Sequence, residues 1–310
     1  MKRYTSAETF NNTTPSIATI GTFDGVHIGH SKIIANLVEN AKKMGLQSVI
    51  LTFFPHPRMV LQKDADIKLI NTIDERIQIL EKTGLNSLIV HPFTKEFSRL
   101  TAKEYVEDML VKKLNVRHVI IGYDHRFGRN RNSDIVDLAS FGIQHNFTVE
   151  KISKQDIEDV TISSTKIRQA LHDGEIEKAN KYLGYEFMLT GRIVKGKEIG
   201  RTLDFPTANL HIKEEYKLIP KEGVYIVKSC IDNKTYYGMM NIGTNPTVDG
   251  KKQTIETHFF DASFNLYEKK VQILLLKRIR DEKKFESIEI LKNAMQQDED
   301  TARDYINNLL

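Results

Sequence analysis

At 310 residues the chain exceeds what one hydrophobic core comfortably serves, so two domains are expected. A composition of 40% hydrophobic and 28% charged residues is ordinary for a globular protein, and no apolar run approaches the roughly 18 to 20 residues of a membrane-crossing helix. The formal charge of +4 carries no long block of one sign, which argues against nucleic acid as a partner and leaves a mild bias toward small anions. The basic start, Met1 to Glu8, has no apolar stretch behind it of the kind that directs secretion, so a cytoplasmic protein is expected. Cys230 is the sole cysteine, which excludes an intramolecular disulfide and a cysteine-rich zinc site and reads as a buried thiol. Nothing in the sequence sets an oligomeric state.

Five β-like runs at 16–20, 48–54, 87–93, 118–123 and 147–152 alternate with amphipathic patterns, which predicts a parallel sheet wrapped by helices. The first run leads directly into Gly21-Thr22-Phe23-Asp24-Gly25-Val26-His27-Ile28-Gly29-His30. Sheets of this kind bind nucleotides where a strand end meets a helix start: glycines let the backbone approach phosphate, and the helix terminus adds a partial positive charge. His27 and His30 can reach one anionic group together, or they can cap a helix. A zinc site would have to recruit His56, His91 or His125 from distant segments.

Asn71-Thr72-Ile73-Asp74-Glu75 opens a helix that ends near Gly84, and Thr101-Ala102-Lys103-Glu104 is a capping box for a helix through Leu114. Ser163, Ser164, Thr165 and Arg168 begin the last helical patterns before a break near Gly184, which divides the chain into 1–184 and 185–310. Hydroxyls, free amides and a guanidinium there suit phosphate, although the same residues also serve as a plain cap and a solvated charge.

Beyond the break, runs at 188–194, 223–231, 236–242, 254–260 and 270–279 follow one another without helices, which implies an antiparallel barrel or sandwich. A final helical stretch, 287–310, packs across it. Residues 191–198 approximate a P-loop, but Glu198 stands where a hydroxyl must reach magnesium, and the surroundings are β-like, so that reading is rejected. Thr207 and Asn209 alternate along an extended segment and share a side, where a hydroxyl and an amide oxygen suit Mg²⁺. Glu256, standing alone in a β-run, would be a solvated face residue.

The ordered motifs Gly21 to His30, Phe53-Phe54-Pro55-His56-Pro57-Arg58, Gly122-Tyr123-Asp124-His125-Arg126-Phe127-Gly128 and Ile162-Ser163-Ser164-Thr165-Lys166-Ile167-Arg168 resemble the adenylyltransferase half of the bacterial bifunctional riboflavin kinase/FMN adenylyltransferase family, the FAD synthetases. Gly200-Arg201-Thr202-Leu203-Asp204-Phe205-Pro206-Thr207-Ala208-Asn209, Gly223-Val224-Tyr225, the run Asn241 to Thr247 and Ile255-Glu256-Thr257-His258 resemble its riboflavin kinase half. The resemblance implies a Rossmann-like nucleotidylyltransferase domain at 1–184 and an antiparallel β-barrel kinase domain with a terminal helix at 185–310. It implies phosphorylation of riboflavin to FMN by ATP, then adenylylation of FMN by a second ATP to FAD with release of pyrophosphate, with Mg²⁺ as the metal.

Under this resemblance His27 and His30, with Gly21, Phe23, Asp24 and Gly25, face the triphosphate, while Ser164, Thr165 and Arg168 hold the departing pyrophosphate. Asp124 borders the nucleotide or flavin phosphate, Gly200 and Arg201 belong to the loop covering the kinase's phosphates, Thr207 and Asn209 hold the metal, and Glu256 is the base. His125 and Asp204 depart from the usual phenylalanine and glycine. Tyr225, Phe259, Phe260 and Phe285 fit a flavin pocket and equally fit a core. The rival readings are a chain with one active half, a flavin-binding module without chemistry and a nucleotidyltransferase for another substrate. Glu256, Thr207, Asn209 and Arg168 oppose the second rival, and the barrel motifs oppose the third.

Overall fold

The computed structural model describes residues 1–11, 13–62, 66–122, 126–152, 162–196, 205–247, 250–262 and 265–309, with 245–247 and 250–252 described by their backbone alone. Contacts divide the chain into two compact units, Met1–Ser163 and Ser164–Leu310.

In the first unit, strands β1 (Lys2–Tyr4), β2 (Ser16–Ile20), β3 (Gln47–Phe54), β4 (Ser87–Pro92), β5 (Val116–Gly122) and β6 (Thr148–Ile152) form one sheet in the order β1-β4-β3-β2-β5-β6. Every pairing is parallel. The sheet is covered on both faces, and alternation along the strands sorts its side chains into two cores. Ala18, Val49, Leu51 and Val119 enter one core, while Ile17, Ile50, Leu88 and Ile120 enter the other. From β2 the chain goes to β3 and β4 on one side and later to β5 and β6 on the other. The C-terminal end of β2 therefore lies at the switch point, where an open parallel sheet leaves a crevice.

Helix α1 (Ile28–Met44) follows β2 almost at once and ends at Gly45 in the left-handed region. Between β3 and β4 lie α2 (Pro57–Leu61) and α3 (Ile73–Glu81). The expected capping boxes are present: Thr72 with Glu75 opens α3, and Thr101 with Glu104 opens α4 (Ala102–Glu104), which continues as π-helical turns through Tyr105–Lys113. Helix α5 (Ile135–His145) precedes β6.

The second unit begins with α6 (Ser164–Asp173) and α7 (Ile176–Leu183), so these contacts group 164–183 with the barrel, whereas the composition change falls at Gly184. Strands β7 (Met188–Val194), β8 (Ala208–His211), β9 (Gly223–Ile231), β10 (Lys234–Thr247), β11 (Gly250–Phe259) and β12 (Lys270–Arg280) close into an antiparallel barrel in the order β10-β11-β8-β7-β12-β9. Of the two expected all-β forms, the barrel is the one adopted. Helix α8 (Ile288–Asn307) lays Leu291, Met295, Ala302 and Ile306 against Phe205, Val224, Ile226, Met239 and Leu276. Among the described residues no helix is long and apolar enough to cross a membrane.

Cys230 corrects one expectation. It is exposed, because its neighbour Ser229 takes the inward position on β9 and donates its hydroxyl to the Gln272 carbonyl at 2.8 Å. The apparent P-loop is also explained: Gly191 lies within β7, where an added Cβ would stand 2.4 Å from the His211 carbonyl oxygen of β8. This glycine serves the close approach of two strands. Gly191→Ala should therefore destabilise the barrel by about 1 to 3 kcal/mol, since a backbone oxygen cannot swing aside. Thermal unfolding checks this, with a lower transition for the variant as the expected result.

Two candidate active sites

The loop that leaves β2 is tightly wound. Phe23, Gly25 and Val26 all have positive φ, at 48°, 87° and 33°. Only Gly25 adopts such a value without cost, so surrounding contacts must hold the other two. Asp24 supplies them. Its side chain is 1% exposed and accepts hydrogen bonds from the Ile70 and Asn71 amides at 3.1 and 3.4 Å, and it pairs with the equally buried Arg76 of α3 at 3.6 Å. The sequence reading set Asp24 at the triphosphate; its carboxylate is here engaged in tying this loop to the turn before α3. Phe23 is likewise buried and packs in the core beside Ile34 and Leu37, and the Phe23 ring lies against the Gly21 backbone.

The loop delivers His27 to the N-terminus of α1, where its Nδ1 accepts from the His30 amide at 3.4 Å. The two imidazoles stack with ring centres 3.8 Å apart, and Phe23 lies 5.1 Å from His30. Capping and ligand binding are thus compatible. With Nδ1 accepting, a neutral His27 carries its proton on Nε2, the nitrogen left for an anion. Burial pushes His27 down to about 4 against the opposing pull of Asp24, and it holds His30 well below the ordinary range, helped by His27 and Arg76. At neutral pH both rings are N–H donors without net charge. Nδ1 of His30 is buried without a hydrogen-bond partner among the described residues, the kind of orphaned group that marks a binding site.

His56 and His91 do not join this pair. Each uses Nδ1 to accept a backbone amide, from Arg58 and Ala7 respectively, both at 3.2 Å. Ser164, Thr165 and Arg168 lie in the opening turns of α6, with Thr165 exposed and Arg168 half-buried above the buried Ile167. Asp124, Gly200 and Arg201, and with them His125, Glu198 and Asp204, lie outside the described residues.

In the barrel, register builds the second site. Glu256 on β11 pairs with Asn209 on β8 and with Asn241 on β10, and the Thr207 hydroxyl donates to Glu256 Oε2 at 3.3 Å. Glu256, Thr207 and Asn209 all line a cavity of about 1210 Å³. Its apolar wall is formed by Val224, Met239, Leu291 and Met295 together with Phe285. Tyr225, Phe259 and Phe260 are buried core residues, so Phe285 is the member of that aromatic set that reaches the cavity.

Sequence reasoning missed the acidic side of this cavity. Glu222 accepts the Thr244 hydroxyl, and Glu282 sits against Gly243 so closely that an added Cβ would fall 2.0 Å from its carboxylate. Burial pushes the Glu282 carboxyl up, and the neighbouring Glu222 adds to the effect. The signal was present in Asn241-Ile242-Gly243-Thr244, whose glycine makes room for a partner distant in sequence. At the cavity rim Arg280 grips Asp298 of α8 through Nε and Nη2, at 2.9 and 2.7 Å. The Arg280 guanidinium lies 5.5 Å from the Phe285 ring, so this clasp fixes the segment between β12 and α8.

The histidine pair gives a pH dependence. Between about 4 and the ordinary histidine value near 6.5, the unfolded chain holds a proton on His27 that the folded chain lacks, so stability rises with pH there and is lost as pH falls through that window. Unfolding measured from pH 7 to 4 should show this decline, and His27→Asn should lessen it while leaving the His30 share, which has the same sign.

Comparison with known proteins accounts for both halves. The FAD synthetase family model matches residues 9–166, and the riboflavin kinase model matches 183–306. A bifunctional riboflavin kinase/FMN adenylyltransferase from Buchnera aphidicola is 38% identical over 94% of this chain and 94% of its own. The protein of that name from Escherichia coli is 36% identical over 93% and 92%. A crystal structure from Streptococcus pneumoniae, described as a macrolide-efflux protein, superposes with a TM-score of 0.88 at 31% identity over 97% of this chain and 98% of that one. Matched in both halves and along nearly its whole length, the chain belongs to the family of bifunctional riboflavin kinase/FMN adenylyltransferases.

Proposed function

We propose that the barrel phosphorylates riboflavin to FMN and that the nucleotidylyltransferase half, residues 1–184, joins FMN to AMP from a second ATP, giving FAD and pyrophosphate. The observation that carries the kinase reading is the convergence of Glu256, Thr207 and Asn209 on one cavity. Glu256 takes the proton from the terminal ribityl hydroxyl as that oxygen attacks the γ-phosphorus and ADP departs. Thr207 and Asn209 offer hard oxygen donors that fit Mg²⁺, and they would hold it. When bound, the ion supplies positive charge to the transferring phosphoryl group. The apolar wall with Phe285 suits a flavin ring.

In adenylylation an FMN phosphate oxygen attacks the α-phosphorus and pyrophosphate leaves, so no protein nucleophile is needed. His27 and His30 donate N–H groups to the triphosphate, and the α1 amides add the helix-terminal partial charge. Gly21 and Gly25 keep side chains out of the phosphate path, with Phe23 packed beneath them. On the family's motif, Ser164, Thr165 and Arg168 hold the departing pyrophosphate, Asp124 borders the nucleotide or flavin phosphate, and Gly200 and Arg201 cover the kinase's phosphates. The substrates are small molecules, and the reactions run in the cytoplasm without nucleic acid or membrane.

Purified protein given riboflavin, ATP and Mg²⁺ should show transient FMN and then FAD by chromatography; a chain with one active half would stop at FMN or act on supplied FMN alone. Glu256→Ala should lower FMN formation about 10²- to 10⁴-fold and spare FAD formation from supplied FMN. Arg168→Ala should do the reverse. Loss of both reactions in either folded variant would overturn this division of labour.

A further inference from the structure

His258 closes the Ile255-Glu256-Thr257-His258 motif, and the chemistry above leaves it without a task. It stands two positions beyond Glu256 on β11, so both side chains emerge on the cavity side of the strand while Thr257 between them is buried. Nδ1 of His258 lies 2.9 Å from the Pro206 carbonyl oxygen. A carbonyl can only accept, so Nδ1 carries the proton. The ring is held between Phe205, with centroids 5.3 Å apart, and Phe260, at 5.8 Å, both buried in the barrel core.

Pro206 immediately precedes Thr207. The residue donates no amide of its own, and strand β8 begins only at Ala208. The ladder between β8 and β11 fixes Asn209 and Ala208, through Glu256 and Thr257, but does not reach Thr207. The hydrogen bond from His258 supplies the hold that the ladder lacks.

We infer that His258 is a positioning residue for the kinase reaction: through the Pro206 carbonyl it sets the Thr207 hydroxyl beside Glu256, where the metal of ATP is to be held. The inference rests on the assignment of Thr207 and Asn209 to that metal. Its signature lies in which ring nitrogen matters. An asparagine carboxamide can place an N–H where Nδ1–H stands, whereas glutamine places its amide where Nε2 stands. His258→Gln should therefore lose the bond to Pro206, and His258→Asn should keep it.

Two readouts on the full-length protein test this. Hydrogen exchange of the peptide spanning 205–211, without ligands, should quicken in His258→Gln and stay near wild type in His258→Asn. In FMN formation from riboflavin at fixed ATP, the half-saturating Mg²⁺ concentration should rise about three- to tenfold in His258→Gln, the worth of one hydrogen bond, with kcat changed far less, and should return toward wild type in His258→Asn. Equal behaviour of the two variants would overturn the inference, as would greater damage in His258→Asn, which would place the role at Nε2. Thr207→Ala separates the two levels. If its Mg²⁺ requirement is unchanged, the metal assignment fails, while the exchange result still decides whether His258 pins Pro206.

Discussion

The pairing of Glu256 with Asn209 is made by backbone hydrogen bonds to which neither side chain contributes, and the convergence of Glu256, Thr207 and Asn209 on one cavity depends on it. A slip of one residue along β11 would turn Glu256 into the wall and Thr257, which is buried, toward the cavity. Closure of the barrel opposes that slip, because a strand bonded on both sides cannot shift without breaking two ladders. The first unit obeys the same rule in parallel form. Its strands all run one way, so the loop after β2 emerges at the crevice whatever the rest of the sheet does.

The two candidate sites differ in how their charged groups are arranged. At the end of β2 the polar groups are buried and neutral in sum: the Asp24 carboxylate is matched by Arg76 and by amides, and the histidines are uncharged donors. On the proposed reading, a triphosphate there would meet N–H groups and a helix terminus. The barrel cavity instead carries acids and bases together on its lining, Glu222, Glu256, Glu282, Glu286 and Asp298 with Lys195, Arg280, Lys283 and Lys284. Burial and the neighbouring Glu222 push the Glu282 carboxyl up, so of these acids it is one whose charged form the site disfavours.

Periodicity made much of this legible. The run at 16–20 coincides with β2, those at 188–194 and 223–231 coincide with β7 and β9, and both capping boxes open helices. Strand β1 was not legible, because Lys2–Tyr4 is too short to show a period and is defined only by its partner, and β8 was legible only as an extended segment at Thr207 to Asn209. Cys230 was misread because burial in a half-buried strand is decided by phase, and Ser229 with its buried hydroxyl took the inward phase. The motif histidines, Thr207 and Asn209 could be nominated from spacing, and Glu256 from the family resemblance. Their supports could not: Arg76 behind Asp24, Glu282 behind Gly243 and Pro206 under His258 are each brought together by tertiary structure across a long stretch of chain.

Each unit carries its own core. The two clusters around the parallel sheet draw on the first unit alone, and the cluster under α8 draws on the barrel alone. The supports that shape each loop are equally local: Asp24 with Arg76 in the first unit, Arg280 with Asp298 in the second. Damage to the Asp24–Arg76 pair and damage to the Arg280–Asp298 clasp thus fall in different units. The proposed pyrophosphate residues Ser164, Thr165 and Arg168 group by their contacts with the barrel, so the division of the chain into compact units is not the division of the residues proposed for the two reactions.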